Sequence, residues 1–268
     1  MTEHKHPISG EPILYAPGRA GRPNAFGRDD AAGCPFCPGN ESQTPPTIAQ
    51  SGDPWRVRVF ANKYPAVDGH EVIVESNRHD ASFETIEDPA EAVRMYIDRY
   101  RAHANAAYVS LFKNMGERAG ASIDHIHSQL MPLAFIPPRI ERQLAGFTSS
   151  CPLCNPPGDV IDENESFVRI APNAAQHPYE QWLIPKRHVE DMTTLDEENM
   201  AAILQTAIGA ARRIAPSHNV LFMNFPARTR AHFYIDVFPR MTSIAGFELA
   251  TGTFIDIIDS ATTLRRLR

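Results

Sequence analysis

Cysteine and tryptophan are scarce: four and two of 268 residues. So few cysteines exclude a small scaffold held by disulfide staples. No apolar run approaches the roughly 18 residues that a membrane span requires. The first thirty residues also lack the apolar stretch of a signal peptide. A cytoplasmic protein with no membrane partner is the expectation. Positive charge is short as well, with 26 Lys and Arg against 32 Asp and Glu and a formal charge of −6, so nucleic acid has no cationic footprint to bind. Low-complexity tracts are missing, and the 43% hydrophobic content is enough to build the core of a globular protein.

The few cysteines present are not scattered. They form two pairs, Cys34-Pro-Phe-Cys37 and Cys151-Pro-Leu-Cys154, and in a reducing compartment such pairs indicate metal binding or redox chemistry before disulfides. The segments downstream of the two pairs also repeat. After CPFC come WRVRVF, HEVIVESNRHDASFETI, a helix, AYVSLFK and HIHSQLMP. After CPLC come SFVRIAPN, YEQWLIPKRHVEDMTTL, a helix, NVLFMNF and HFYIDVFP. Placing Pro132 on Pro239 aligns His125 with His232, His127 with Tyr234 and Gln129 with Asp236. The chain therefore reads as two diverged copies of one unit, with an N-terminal repeat at 1–133 and a C-terminal repeat at 134–268.

Each unit mixes short strands with one long helix. Asp88-Pro89 opens a helix reaching about Ala106, with Val93, Tyr96, Ile97 and Tyr100 as its apolar stripe. Thr194-Leu-Asp-Glu197 reads as a capping box for the second helix, which carries Met200, Ile203, Leu204, Ala207 and Ile208 on one face and stops before Pro216. Strands are expected at Trp55 to Phe60, Glu71 to Glu75, Tyr108 to Lys113 and His125 to Leu133, with counterparts in the second copy. The fold class is α+β: two tandem repeats, each an antiparallel sheet with packed helices. Residues 135–150 connect the halves, and the Gly- and Pro-rich first thirty residues read as an extended arm.

Two constellations carry chemistry. Cys34, Cys37, His79 and His125 recur in order as Cys151, Cys154, His188 and His232, with spacings of 42 and 46 residues from Cys37 to His79 to His125 against 34 and 44 in the second set. Two thiolates and two imidazoles complete a tetrahedral zinc site and leave no open position, which points to two structural zinc ions. The second constellation is the His125-Ile-His127-Ser-Gln129 strand, whose alternation puts a metal ligand, a free imidazole and an amide on one face. A neutral histidine held through one nitrogen by a backbone carbonyl is a competent nucleophile toward phosphorus. Spacing alone leaves His127 open as a core histidine or a further ligand. Gly120 and Ser122 just upstream offer close backbone approach and a hydroxyl to phosphate oxygens.

The runs LFKNMGERAGASIDHIHSQ, YAPGRAGRPNAF, VFANKYPAV and AGFELATGTF together resemble the galactose-1-phosphate uridylyltransferase branch of the histidine-triad superfamily, which includes an ADP-glucose phosphorylase type. The resemblance implies that His127 becomes covalently nucleotidylated, that Gln129 contacts the phosphoryl group, and that Cys34, Cys37, His79 and His125 hold zinc. It further implies that Asn62, Asn114, Gly120 and Ser122 contact the nucleotide or order the phosphate loop, with Arg19 and Arg22 near the phosphates. Ile126 stands where the bacterial galactose enzymes have proline, and Phe254 stands near their sugar-phosphate-binding glutamine. His232-Phe-Tyr234-Ile-Asp236 leaves the second repeat without the nucleophile.

Gln129 has a chemical rationale of its own. Hydrolytic histidine-triad enzymes carry a third histidine there, whereas an amide cannot titrate, so an intermediate should survive for a second substrate. The expected function is nucleotidyl transfer from a nucleoside-diphosphate sugar to a sugar phosphate or inorganic phosphate, in the manner of a UDP-glucose:hexose-1-phosphate uridylyltransferase of galactose metabolism. The alternatives are an ADP-sugar or dinucleoside polyphosphate phosphorylase and a non-catalytic zinc-binding interaction protein. A homodimer is compatible with this reading.

Overall fold

A computed structural model describes residues 2–22 and 32–268. Part of the expected N-terminal arm and of the YAPGRAGRPNAF run, residues 23–31, lies outside the described residues. The arm opens not as an extended strand but as a hairpin, β1 (Thr2–Lys5) paired antiparallel with β2 (Pro12–Tyr15).

Ten further strands make one antiparallel sheet. The first copy contributes β3 (Thr47–Ser51), β4 (Val57–Ala61), β5 (Glu71–Val74), β6 (Tyr108–Met115) and β7 (His127–Leu133). The second contributes β8 (Gly158–Glu163), β9 (Phe167–Pro172), β10 (Gln181–Pro185), β11 (His218–Met223) and β12 (Tyr234–Pro239). Their order is β3-β4-β5-β7-β6-β11-β12-β10-β9-β8. The second five thus reverse the order of the first, a two-fold relation whose seam is the β6–β11 pair, with Leu111 opposite Phe222 and Asn114 opposite Asn219.

One face of this sheet carries helices α1 (Pro89–Ala102) and α3 (Glu197–Ile214), which pack on each other. Val93, Tyr96 and Ile97 of the expected stripe are buried, as are Met200, Ile203, Leu204, Ala207 and Ile208, and all join one core with Val59, Ile73, Leu111, Val220 and Ile235 from both halves of the sheet. Burying these alternating strand residues under two helices is the principal hydrophobic contribution. Helix α1 starts as read, with Asp88 accepting the Glu91 N–H. It ends at Ala102, four residues early, because the chain turns so that the Ala107 N–H can donate to the Leu133 carbonyl of β7. Helix α3 is capped by Asp196, which accepts the Asn199 N–H, rather than by Thr194, whose hydroxyl serves Arg187. The connection at 135–150 contains a helix of its own, α2 (Pro138–Leu144), which seats Ile140 on the opposite face of the sheet. Two short helices, α4 (Gly246–Thr251) and α5 (Ser260–Leu267), close the chain.

Strand β7 begins at His127, not at the expected His125. Its residues alternate, with Leu130 and Ser128 under the helices and His127 and Gln129 on the other face. Ser128 belongs to a buried network: its hydroxyl donates to Glu75 at 2.5 Å, as does the Tyr96 phenol at 2.5 Å, and Lys113 pairs with the same carboxylate. Lys113 and Ser128 face each other across β6 and β7, and the register-equivalent pair across β11 and β12 is Phe222 and Ile235. The polar network thus lies behind the strand that carries His127 and has no counterpart at the equivalent pair. Replacing Lys113 by Met leaves the Glu75 charge buried without a cation and should cost about 3–5 kcal/mol in urea unfolding. Replacing the pair together, Lys113→Met with Glu75→Gln, should cost much less, and equal losses would mean the ion pair is not what stabilises this strand.

Candidate active site and metal clusters

The Pro in each Cys-Pro-x-Cys run tightens a turn that brings two thiols to one side. Cys34, Cys37, His79 and His125 then converge, with all ligand atoms within 4.8 Å of one another, and Cys151, Cys154, His188 and His232 do the same. In the first cluster the sulfur to Nδ1 separations are 3.7 Å for Cys34–His125, 3.5 Å for Cys37–His125 and 3.4 Å for Cys37–His79. In the second they are 3.4 Å for Cys151–His232, 3.9 Å for Cys154–His232 and 3.3 Å for Cys154–His188. Metal–sulfur bonds near 2.3 Å and metal–nitrogen bonds near 2.0 Å give a tetrahedron whose S···N edge is about 3.5 Å, so both donor sets fit a four-coordinate ion. The remaining ring nitrogens point the same way. His125 Nε2–H donates to the Ser76 carbonyl at 2.7 Å, and His232 Nε2–H to the Pro185 carbonyl at 3.0 Å, which leaves each Nδ1 with its lone pair toward the thiols. Each cluster could hold one metal ion. They differ in exposure: Cys34, Cys37 and His125 are buried, whereas Cys154 and His188 are exposed.

His127 sits beside the first cluster. Its Nδ1–H donates to the backbone carbonyl of His125 at 2.8 Å, so Nε2 carries the lone pair. Burial pulls the imidazole down to about 4, despite the raising influence of that carbonyl, which keeps the ring neutral near pH 7. Phe36, between the two cysteines, meets the ring in a T-shaped contact with centroids 5.2 Å apart. Neutrality, a fixed tautomer and a packed ring are what a nitrogen nucleophile needs.

A cavity of about 410 Å³ opens over this strand, and His127, Gln129, Asn62, Ser122 and Arg22 line it together with Phe36, Phe60, Lys63 and Tyr64. That volume is the size of a small-molecule site. Arg22 reaches the Ser122 hydroxyl at 2.6 Å, and Arg19 reaches the Tyr64 carbonyl at 2.6 Å, so both arginines brace the rim from the N-terminal segment. Arg19, Asn114 and Gly120 are not among the lining residues. Asn114 lies at the seam, where Asn219 of the second copy donates to its Oδ1 at 2.8 Å and to the Ala119 carbonyl at 3.2 Å. Gly120 holds φ +85° beside Asn114, a backbone that favours glycine and turns the chain toward Ser122. These two shape the loop rather than the cavity wall.

The matching place in the second copy is built differently. Tyr234 packs against Trp182 with centroids 5.2 Å apart and accepts from Gln143 at 2.9 Å. Asp236 is buried, and Arg139 approaches it at 3.7 Å. Burial, with neighbouring Glu180, pushes the Asp236 carboxyl well above the usual carboxylate range. A phenol and a carboxyl thus stand where the first copy has an imidazole and an amide.

Three contributors escaped the sequence reading: Phe36, Lys63 and His70. Phe36 was visible inside the Cys-Pro-Phe-Cys run, but its spacing gave no sign of packing on His127. His70 is 2% exposed and its Nε2 lies 3.1 Å from Gln129 Oε1. No spacing in the sequence signals it, because the pairing of β5 with β7 is what brings it to Gln129.

No family model matches the chain. ADP-glucose phosphorylase from Arabidopsis thaliana is 29% identical over 94% of this chain and 88% of its own length. A galactose-1-phosphate uridylyltransferase from Thermotoga maritima is 25% identical over 74% of this chain and 73% of its own. The crystal structure of the Arabidopsis ADP-glucose phosphorylase with bound ADP-glucose superposes with a TM-score of 0.83 at 28% identity, covering 100% of this chain and 98% of that one. The chain is thus similar in sequence to ADP-glucose phosphorylase and to galactose-1-phosphate uridylyltransferases, and it shares the fold of the Arabidopsis ADP-glucose phosphorylase.

Proposed function

We propose that this protein is a nucleotidyltransferase that takes a nucleoside monophosphate from a nucleoside-diphosphate sugar onto His127 and passes it to a phosphate-bearing acceptor. The observation that carries the reading is the neutral His127 imidazole, tied through Nδ1 to the His125 carbonyl, on the floor of a cavity lined by Arg22, Lys63, Gln129 and Asn62. The Nε2 lone pair attacks the α-phosphorus, forming an N–P bond. The P–O bond to the sugar phosphate breaks, and the sugar 1-phosphate leaves with the electron pair. The Nδ1 proton stays on the ring, hydrogen-bonded to the His125 carbonyl throughout, so the charge gained by the ring is stabilised by that carbonyl dipole. Arg22 and Lys63 offset the phosphate charge, and the Gln129 amide donates to a nonbridging oxygen. An oxygen of the second phosphate then attacks the same phosphorus and the N–P bond breaks, restoring the neutral ring.

Zinc is the ion the two Cys2His2 sets would hold, Cys34, Cys37, His79 and His125 in one and Cys151, Cys154, His188 and His232 in the other. With no ligand position open, its contribution is to fix the turn before β7. Gln129 cannot give a proton to a leaving group or activate water, so the nucleotidyl-His127 state waits for its acceptor. A uridylyltransferase with a hexose 1-phosphate acceptor and an ADP-sugar phosphorylase with inorganic phosphate share every step above. The second is favoured by a likeness to ADP-glucose phosphorylase extending over 94% of the chain.

Incubation with UDP-glucose or ADP-glucose in the absence of acceptor should add one nucleoside monophosphate per chain by intact mass. His127→Ala should abolish the adduct and Tyr234→Ala should retain it; equal loss in two folded variants would contradict the assignment. The wild-type adduct should persist in buffer and disappear within seconds when galactose 1-phosphate or inorganic phosphate is supplied. Loss to water at the same rate would make the protein a hydrolase.

Elemental analysis of protein purified without chelator should give two zinc ions per chain, and one or none would refute the duplicated site. Cys34→Ala should lower the melting temperature more than Cys154→Ala, because a structural metal's binding free energy is folding free energy and the first cluster is the buried one. A chelator titration should release the second ion first.

A further inference from the structure

Hydrogen bonds around His70 form a chain in which each donor fixes the next. The Ala66 N–H points at His70 Nδ1 at 3.1 Å, and a backbone N–H can only donate, so Nδ1 is the acceptor and the neutral ring carries its proton on Nε2. Burial draws His70 down to about 4, against the raising influence of Gln129, which keeps the second proton off. Two amides approach Nε2. Asn62 has its Oδ1 taken by the Tyr64 N–H at 2.9 Å and so turns its NH2 to the ring, where it can accept nothing. The Nε2 proton therefore goes to Gln129 Oε1 at 3.1 Å.

A carboxamide is nearly symmetric in shape and opposite in polarity at its two ends. Once its oxygen is engaged, the NH2 end of Gln129 is the one left for the cavity. We propose that His70 is a positioning residue that sets the orientation of the Gln129 amide, so that this group meets a phosphoryl oxygen as a donor and never as an acceptor. The proposal rests on the nucleotidyl-transfer reading given above, since only a phosphoryl ligand makes the donor end the useful one. With the amide reversed, Oε1 would face the phosphate and repel it.

The second copy supplies an internal comparison. Val72 pairs with Gln129 across β5 and β7, and Trp182 pairs with Asp236 across β10 and β12. His70 precedes the first pair by the same step as Glu180 precedes the second. Glu180 is already committed, accepting from Gln176 N–H at 2.7 Å, His177 N–H at 2.9 Å and Trp182 Nε1–H at 2.6 Å. The half without the nucleophile thus also lacks both members of the donor–acceptor pair.

Three substitutions separate the possibilities. His70→Gln places an amide nitrogen near the Nε2 position and can still donate. His70→Leu offers nothing, and His70→Glu offers only oxygen and calls the Gln129 NH2 toward itself. Single-turnover formation of the nucleotidyl adduct from ADP-glucose or UDP-glucose should fall in the order Gln, Leu, Glu. The Glu variant should lose on the order of 10²-fold in the adduct-forming rate, the cost of removing one preorganised donor, with a much smaller change in the concentration of nucleotide sugar that half-saturates it. Each is repeated in a Gln129→Met background, where His70 has no amide to orient and His70→Glu should add less than threefold. A His70→Glu loss of equal size in both backgrounds, or a His70→Gln variant as slow as His70→Glu, overturns the proposal. If wild-type protein forms no adduct with either sugar nucleotide, the failure lies in the transfer reading. Side-chain amide NMR of Gln129 then decides the orientation without catalysis: its NH2 shifts should move in His70→Glu and hold in His70→Gln, and unmoved shifts in both overturn it.

Discussion

One peptide carbonyl joins the first Cys2His2 cluster to His127. His125 offers Nδ1 to the thiols and its backbone oxygen to His127 Nδ1–H at 2.8 Å. The same residue therefore anchors the turn and selects the tautomer of its neighbour but one. If that turn moved, His127 would lose its orientation and its fixed tautomer together. The Cys2His2 cluster lies two residues from His127, and the cysteine turn that it closes holds the His125 carbonyl in place.

Behind the strand the same logic recurs in another form. Glu75, Lys113, Tyr96 and Ser128 share one buried carboxylate under His127, while Phe222 and Ile235 fill the corresponding places of the second half with hydrocarbon. A buried ion pair is a poor way to gain stability and a good way to permit only one packing. The half that carries His127 uses it, and the second half places hydrocarbon at the equivalent pair. The second copy, with its own Cys2His2 cluster, braces the seam through Asn219 and Asn114.

Much of this was legible in the residues. The repeat, the two Cys2His2 sets, the apolar stripes of the two helices and the His127–Gln129 face all come from spacing, because period-2 and period-3.6 patterns and ligand order survive without coordinates. What spacing cannot carry is contact between elements. The ten strands merge into one sheet through β6 and β11, a pairing of two edges that look alike in sequence to any other antiparallel pair. His70 lies just before the strand expected from Glu71, and only the register of β5 on β7 places it against Gln129. Asn114 and Gly120 sit in one of the runs that carry the resemblance, yet they shape the loop and the seam rather than the cavity wall. The early end of α1 was hidden for the same reason, since Ala107 is drawn away by a carbonyl on β7.

The central claim is a covalent bond between phosphorus and Nε2 of His127. The most direct measurement is to mix the protein with ADP-glucose or UDP-glucose without acceptor, quench under alkaline denaturing conditions that preserve phosphoramidates, and read the product by phosphorus NMR and by tandem mass spectrometry of its peptides. The account predicts a phosphoramidate resonance and a nucleoside monophosphate on the peptide containing His127, localised to that ring. A label on any other residue, or turnover of the sugar nucleotide with no phosphorus–nitrogen bond formed, would contradict it.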